Sequence, residues 1–368
     1  MLEYRERMTR RRADEEDEEP LDTLLDRLVS EAISLGASSE QISAALERAT
    51  NESAETVVAE LRRIGPKMLR EHAKIRKGFE KRLRKRWARA LDLYECVYTA
   101  CFEAGEQFNN EQRPRAAADN DVRFEALTLL HVRACLVTSD IHALLRTGHA
   151  SGAQARWRTL HEIAVIAFVL GANDAEISER FLLHRLVERY KDALHYQQHC
   201  EALGYEPFSD DEMTEFRETK ETVVTRFGSG YQKPWGWAKP LLQPNQTPNF
   251  TLLEPLAGIE HLRPWVHLSH HTIHGGATGA LQVKEMYGRG GVMLAGPSSF
   301  DLADPAQSTL ASLYQITAAY LLHGDPDGPS QEKFISLKAI EILLNDAQEA
   351  FVDIQTAIDA DEEVAEAD

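Results

Sequence analysis

The tightest constraint on this chain is its hydrophobic period. Apolar side chains recur at steps of three and four almost without interruption, as in Leu127, Leu130, Ala134, Val137 and Ile141. That spacing lines one face of an α-helix and would scatter over both faces of a strand. It predicts an all-α, long-helix bundle. Core helices are expected from Gly65-Pro66 to about Phe108 and over Asp121–Gly148, Gln154–Leu170, Ala175–Leu203, Ser209–Gly228, Phe250–Ile259, Pro305–His323 and Gln331–Ile358. Arg113-Pro114 to Asn120 reads as a loop. The period fails over 228–248, a Gly/Pro/Trp-rich stretch with Lys233-Pro-Trp-Gly-Trp-Ala238, and over Gln282–Ala295, which fits a hairpin or an ordered loop around Gly288-Arg-Gly-Gly291. The expected fold is therefore a bundle with an elaborated loop region.

Charge and length divide the chain further. Residues 1–20 are almost all charged and read as a disordered tail. Residues 21–65 read as a small helical module of three short helices, with Ser38 or Ser39 and Ser53 as N-caps. Residues 66–358 would form the bundle and 359–368 an acidic tail. A net charge of −18 argues against a surface that binds nucleic acid or anionic lipid everywhere. Yet thirteen Lys/Arg lie between Arg62 and Arg89 against only Glu71 and Glu80. Within this stretch Arg82, Lys85, Arg86 and Arg89 share one helical face that could neutralise a nucleic-acid backbone. A solvated helix that pairs with an acidic partner fits the same residues. The four cysteines, Cys96, Cys101, Cys135 and Cys200, form no CxxC pair and read as reduced thiols. The amino terminus has no signal-peptide core, and the longest apolar run, Ile163–Leu170, is too short to span a bilayer. A cytoplasmic protein without a membrane segment is expected.

Reactive side chains concentrate in Arg263-Pro-Trp-Val-His-Leu-Ser-His-His-Thr-Ile-His-Gly275. Offsets of i, i+3, i+4 and i+7 place His267, His270, His271 and His274 on one face of a helix opened by Pro264 and closed by Gly275. Trp265, Val266, Leu268, Thr272 and Ile273 would turn to the core and leave the imidazoles facing a cleft. A second constellation is Arg156-Trp-Arg-Thr-Leu-His-Glu162. There Arg158 and Glu162 stand one turn apart at the edge of the buried run. They read either as an intrahelical ion pair or as an anion-binding arginine beside a carboxylate that orients a histidine. Gly288-Arg-Gly-Gly291, with Tyr287 and Arg289 nearby, and Gly296-Pro-Ser298 lack the strand-to-helix setting of a phosphate loop and read as turns.

Gly148–Glu162, Trp235-Gly-Trp-Ala238, Ser269–Gly275, Leu294-Ala-Gly-Pro-Ser298 and Leu302-Ala-Asp-Pro305 resemble a family of bacterial helical proteins known only as a domain of unknown function, over roughly 120–325. The resemblance implies a helical fold and singles out Arg158, Glu162 and His274. Arg156 to His161 and Arg263 to His270 are also similar in spacing to the HEPN ribonucleases of toxin and phage-defence systems. That similarity implies metal-free RNA cleavage by arginine and histidine across a dimer cleft, although Pro264 departs from the polar residue usual there.

Three functions fit these residues. A metal-independent ribonuclease would use His274 or His270 as acid and base, Arg158 on the phosphate and the basic stripe on RNA. A zinc hydrolase would chelate through His267 with His271, or His270 with His274, and take a third ligand from Glu162 or Asp301, since no HExxH is present. A non-catalytic scaffold would use the histidines as a polar face. Residues 21–65 are the candidate surface for a protein partner or a homo-oligomer, and no cofactor is expected outside the zinc reading.

Overall fold

A computed structural model describes residues 21–274, 276–279, 295–323 and 330–367. The expected tail 1–20, the stretch 282–294 with its glycine-rich turn, Tyr287 and Arg289, and Gly275 lie outside the described residues. Among the described residues every regular element is helical. The chain divides into two compact units, Met1–Gly78 and Phe79–Asp368.

In the first unit, α1 is Leu21–Ser34, and the helix that follows, α2, runs from Ser39 to Arg86 and continues past the division. Ser38 caps α2 with a reciprocal pair of bonds, its Oγ accepting from the Gln41 N–H and its own N–H reaching Gln41 Oε1 at 2.9 Å. The sequence places a cap at Ser53 and a boundary at Gly65-Pro66, and both fall inside this 48-residue helix. Pro66 removes one backbone donor and crowds the preceding turn. That turn is solvent-exposed, so its freed carbonyl meets water, and good helix formers on either side carry the helix through. None of residues 23–78 is buried.

The second unit is a bundle of α3 (Ala88–Asp119), α4 (Val122–Arg146), α5 (Ala150–Ala172), α10 (Ala303–Leu321) and α11 (Gln331–Ala367). α5 packs between α4 and α10, and α11 lies against α3 and α10. The run Ile163–Leu170 is buried except for half-buried Phe168, as its lack of a polar face requires. The loop expected from Arg113-Pro114 is absent. α3 runs through Pro114 and ends at Asn120, whose left-handed backbone (φ 51°) returns its N–H to Ala116. Asp121 then caps α4 by accepting from Phe124 N–H at 2.9 Å. Likewise α11 continues to Ala367, through the residues expected to form the acidic tail.

A helical pair is mounted on this bundle, α6 (Ala175–His199) and α7 (Asp210–Phe227). α7 begins after Ser209 and ends at Gly228, the extent its sequence predicts, and its start is fixed by a capping box of Ser209 and Glu212. The Gly/Pro/Trp loop that follows folds into two 3₁₀ turns pinned by buried groups of α6. Arg180 lies over the Phe227 and Tyr231 rings and donates to Trp237 O at 3.1 Å, while His184 Nε2 reaches Tyr231 O at 3.1 Å. This ordered loop delivers two short helices, α8 (Phe250–Ala257) and α9 (Arg263–Ile273), to the surface of α5. Cys101, Cys135 and Cys200 are buried, Cys96 is exposed, and all four are free thiols. Among the described residues no helix is long and apolar enough to cross a membrane.

Candidate functional site

α9 carries the histidine stripe. Pro264 occupies its first turn, and the helix packs on α5 through Val266 and the fully buried Ser269, whose hydroxyl returns to Val266 O at 2.7 Å. On one flank the imidazoles stand in a row. Ring centroids of His267 and His270 are 5.5 Å apart, those of His267 and His271 6.2 Å, and those of His270 and His274 5.8 Å. His274 has left the helix with an extended backbone and donates its N–H to His270 O. His267 and His274 are exposed, whereas His270 and His271 are half-buried.

α5 brings two of the sequence-predicted partners to this row. Burial lowers the pKa of His270, and the nearby Arg158 guanidinium lowers it further, ahead of His267, His274 and His271. Arg158 therefore acts on the face that carries the stripe. It forms no hydrogen bond or ion pair with another described residue. Glu162, one turn along α5, has its pKa raised by burial, against the pull of Arg158 and Arg133. The intrahelical ion pair is thus not formed, and Glu162 makes no hydrogen bond to a histidine. The resulting corner joins an uncommitted guanidinium to an imidazole biased toward its neutral form, a pairing able to hold an anion and to accept a proton beside it.

The carboxylate that does orient a histidine is Glu254, which the sequence reading missed. It is 1% exposed, accepts from His161 Nε2 at 3.2 Å and forms an ion pair with Arg263 Nη2 at 3.2 Å. His161 is fully buried between the Trp157 and Phe250 rings. Its pKa is lowered because burial outweighs the attraction of Glu254. The ring, biased toward its neutral form, donates its Nε2–H to Glu254, and Nδ1 has no partner among the described residues. The cluster joins α5, α8 and the first residue of α9. Of the four residues of ribonuclease-like spacing, His161 is sealed in this cluster, Arg263 pairs with Glu254 and Arg156 pairs with Asp140 at 3.0 Å, which leaves His270. The only sequence signal for Glu254 is a lone acid in the apolar string Phe250–Ala257.

The opposite flank of α9 is not packed into a core. Trp265, Leu268 and Ile273 remain exposed, and of the expected apolar side only Val266 is buried. Trp265, Leu268 and Thr272 instead line a cavity of about 190 Å³ with Ser151, Gln154, Asp301 and Asp304. Asp301 thus sits across the helix from the imidazoles and does not complete a zinc site with them. Among the described residues no three His, Cys, Asp or Glu side chains converge as metal ligands, His267 and His271 included. In the basic stripe, α2 ends at Arg86 and α3 begins after the buried Trp87. Arg82, Lys85 and Arg89 point to solvent, while Arg86 reaches Ser299 Oγ at 3.4 Å and lies 5.9 Å over the Phe300 ring.

Residues 124–285 match the model of a family of unknown function, DUF5677. The match covers α4 to α9, and with them Arg158, Glu162, Glu254 and the histidine row, in less than half of the chain. No curated protein and no solved structure is significantly similar to it.

Proposed function

We propose that the Arg158–His270 corner is the acid–base centre of a metal-independent ribonuclease. What supports this reading is the guanidinium of Arg158, which has no hydrogen-bond or ion-pair partner among the described residues, on the helix against which α9 packs; its charge adds to the burial that lowers the His270 pKa. An arginine left free beside a neutral imidazole suits a phosphodiester, whose non-bridging oxygens it would bind while His270 takes the proton of the attacking 2′-hydroxyl. His274, its ring 5.8 Å from that of His270, would protonate the leaving 5′-oxygen. The products would be a 2′,3′-cyclic phosphate and a free 5′-hydroxyl. The exposed Arg82, Lys85 and Arg89 would supply contacts to the RNA backbone.

The zinc reading is weaker because the imidazole row lacks a third converging ligand among the described residues. The test is RNA cleavage by the purified chain in excess chelator, with metal content measured in parallel. Cleavage that survives chelation in the wild type, falls at least a hundredfold in His270→Ala and weakens in Arg158→Ala supports the reading. Activity lost to chelator and restored by zinc, or unaffected by either substitution, overturns it.

A further inference from the structure

The long helix α2 exposes a seam that a single copy of the chain leaves uncovered. Ala54, Val57, Leu61, Ile64 and Met68 follow one another at alternating steps of three and four, and Ile75 continues the series one heptad beyond Met68, past Glu71. The average step of 3.5 is that of two helices wound about each other, shorter than the period of a helix lying on a globular core. The seam is open to solvent, with Val57 58% exposed, Leu61 51%, Met68 41% and Ile75 67%. Pro66 falls on the far side of the helix from this seam, so the one residue that should break α2 does not interrupt its contact face.

The charge along α2 says what covers the seam. From Ser39 to Leu61 it carries Glu40, Glu47, Glu52, Glu55 and Glu60 against Arg48 alone. From Arg62 to Gly78 it carries Arg62, Arg63, Lys67, Arg70, Lys74, Arg76 and Lys77 against Glu71. A parallel partner of the same sequence would stack bases on bases. An acidic helix from another protein would satisfy only the basic half. A copy of α2 running the other way satisfies both halves at once.

We propose that α2 pairs antiparallel with α2 of a second copy of this chain. A two-fold axis between Leu61 and Ile64 sets Leu61 of one copy opposite Ile64 of the other, Val57 opposite Met68 and Thr50 opposite Ile75. It also brings Glu60 of each copy alongside Lys67 of the other.

The test combines the oligomeric state of the full chain with the direction of pairing. Sedimentation equilibrium is expected to give a dimer, and Leu61→Asp a monomer of unchanged helical circular dichroism. Lys67→Glu is expected to weaken the dimer, and adding Glu60→Lys in the same chain to restore it, because both pairs then re-form with reversed sign. Under mild oxidation, with wild type as the control for the native thiols, a Val57→Cys chain should cross-link to a Met68→Cys chain and not to itself. These substitutions sit on an exposed face and leave the bundle untouched. A chain that remains monomeric at every concentration overturns the proposal and assigns the seam to a different protein. Self-cross-linking of Val57→Cys overturns it in favour of a parallel pair.

Discussion

Replacing His161 with leucine isolates what the buried Glu254 needs. The substitution keeps the side chain apolar and similar in size, so little cavity is left between Trp157 and Phe250, but it removes the Nε2–H that reaches Glu254 at 3.2 Å. A hydrogen bond to a charged group contributes about 1.5–3 kcal/mol. Leaving a buried charge wholly without a partner costs about 3–5 kcal/mol. Arg263 still holds the other carboxylate oxygen and is itself 46% exposed, so part of that penalty is relieved. The expected loss is about 2–3 kcal/mol for His161→Leu, with a similar loss for Glu254→Leu, which leaves His161 buried without its acceptor. In the double variant nothing polar remains stranded and Arg263 turns to water. Replacing a buried charged pair by apolar groups is often neutral, so the double variant is expected within about 1 kcal/mol of wild type. Denaturant unfolding of the four proteins, followed by circular dichroism, gives the coupling energy directly. Additive losses, with the double variant less stable than either single, would refute the view that this cluster is a mutually dependent unit.

Two further outcomes follow from the core. His131 is buried, and its pKa is lowered to about 4, chiefly by desolvation. Below pH 6.5 the unfolded chain therefore takes up a proton that the folded chain refuses, and stability falls from about pH 6.5 down to about pH 4. At pH 4.5 the loss from this group is about 2–3 kcal/mol, and unfolding at pH 7 and 4.5 should show it shrink in His131→Asn. Gly105→Ala should destabilise the protein by about 1–3 kcal/mol, although alanine favours a helix. Its Cβ would lie 2.7 and 2.8 Å from the ring nitrogens of His131 and push the imidazole off Thr317. A melting temperature raised by this substitution would contradict the packing described.

What the sequence made legible was local. The extent of α7, the buried run of α5 and the row of imidazoles on α9 each depend on residues within a few turns of one another. Prolines 66 and 114 were misread because a helix breaker acts through what surrounds it, and at Pro66 the surroundings are water on an exposed rod. Glu254 was invisible for another reason: its partner His161 lies 93 residues away, and no period or motif joins them. The apolar side of α9 was misjudged because an amphipathic pattern gives the width of a stripe and not the line along which the helix seats. That line runs through Val266 and Ser269, midway between imidazoles and tryptophan, so both flanks remain open.

The depressed protonation of His270 ties ligand capture to proton balance. Its charge is disfavoured by burial, by Arg158 and by three neighbouring imidazoles. An anion seated against Arg158 would cancel part of that field and make the ring more basic. The neutral ring would then be a stronger proton acceptor while the anion is bound than when the site is empty. A centre of this kind gains basicity only when loaded, so the proton acceptor is strongest at the moment a hydroxyl stands ready to give up its proton.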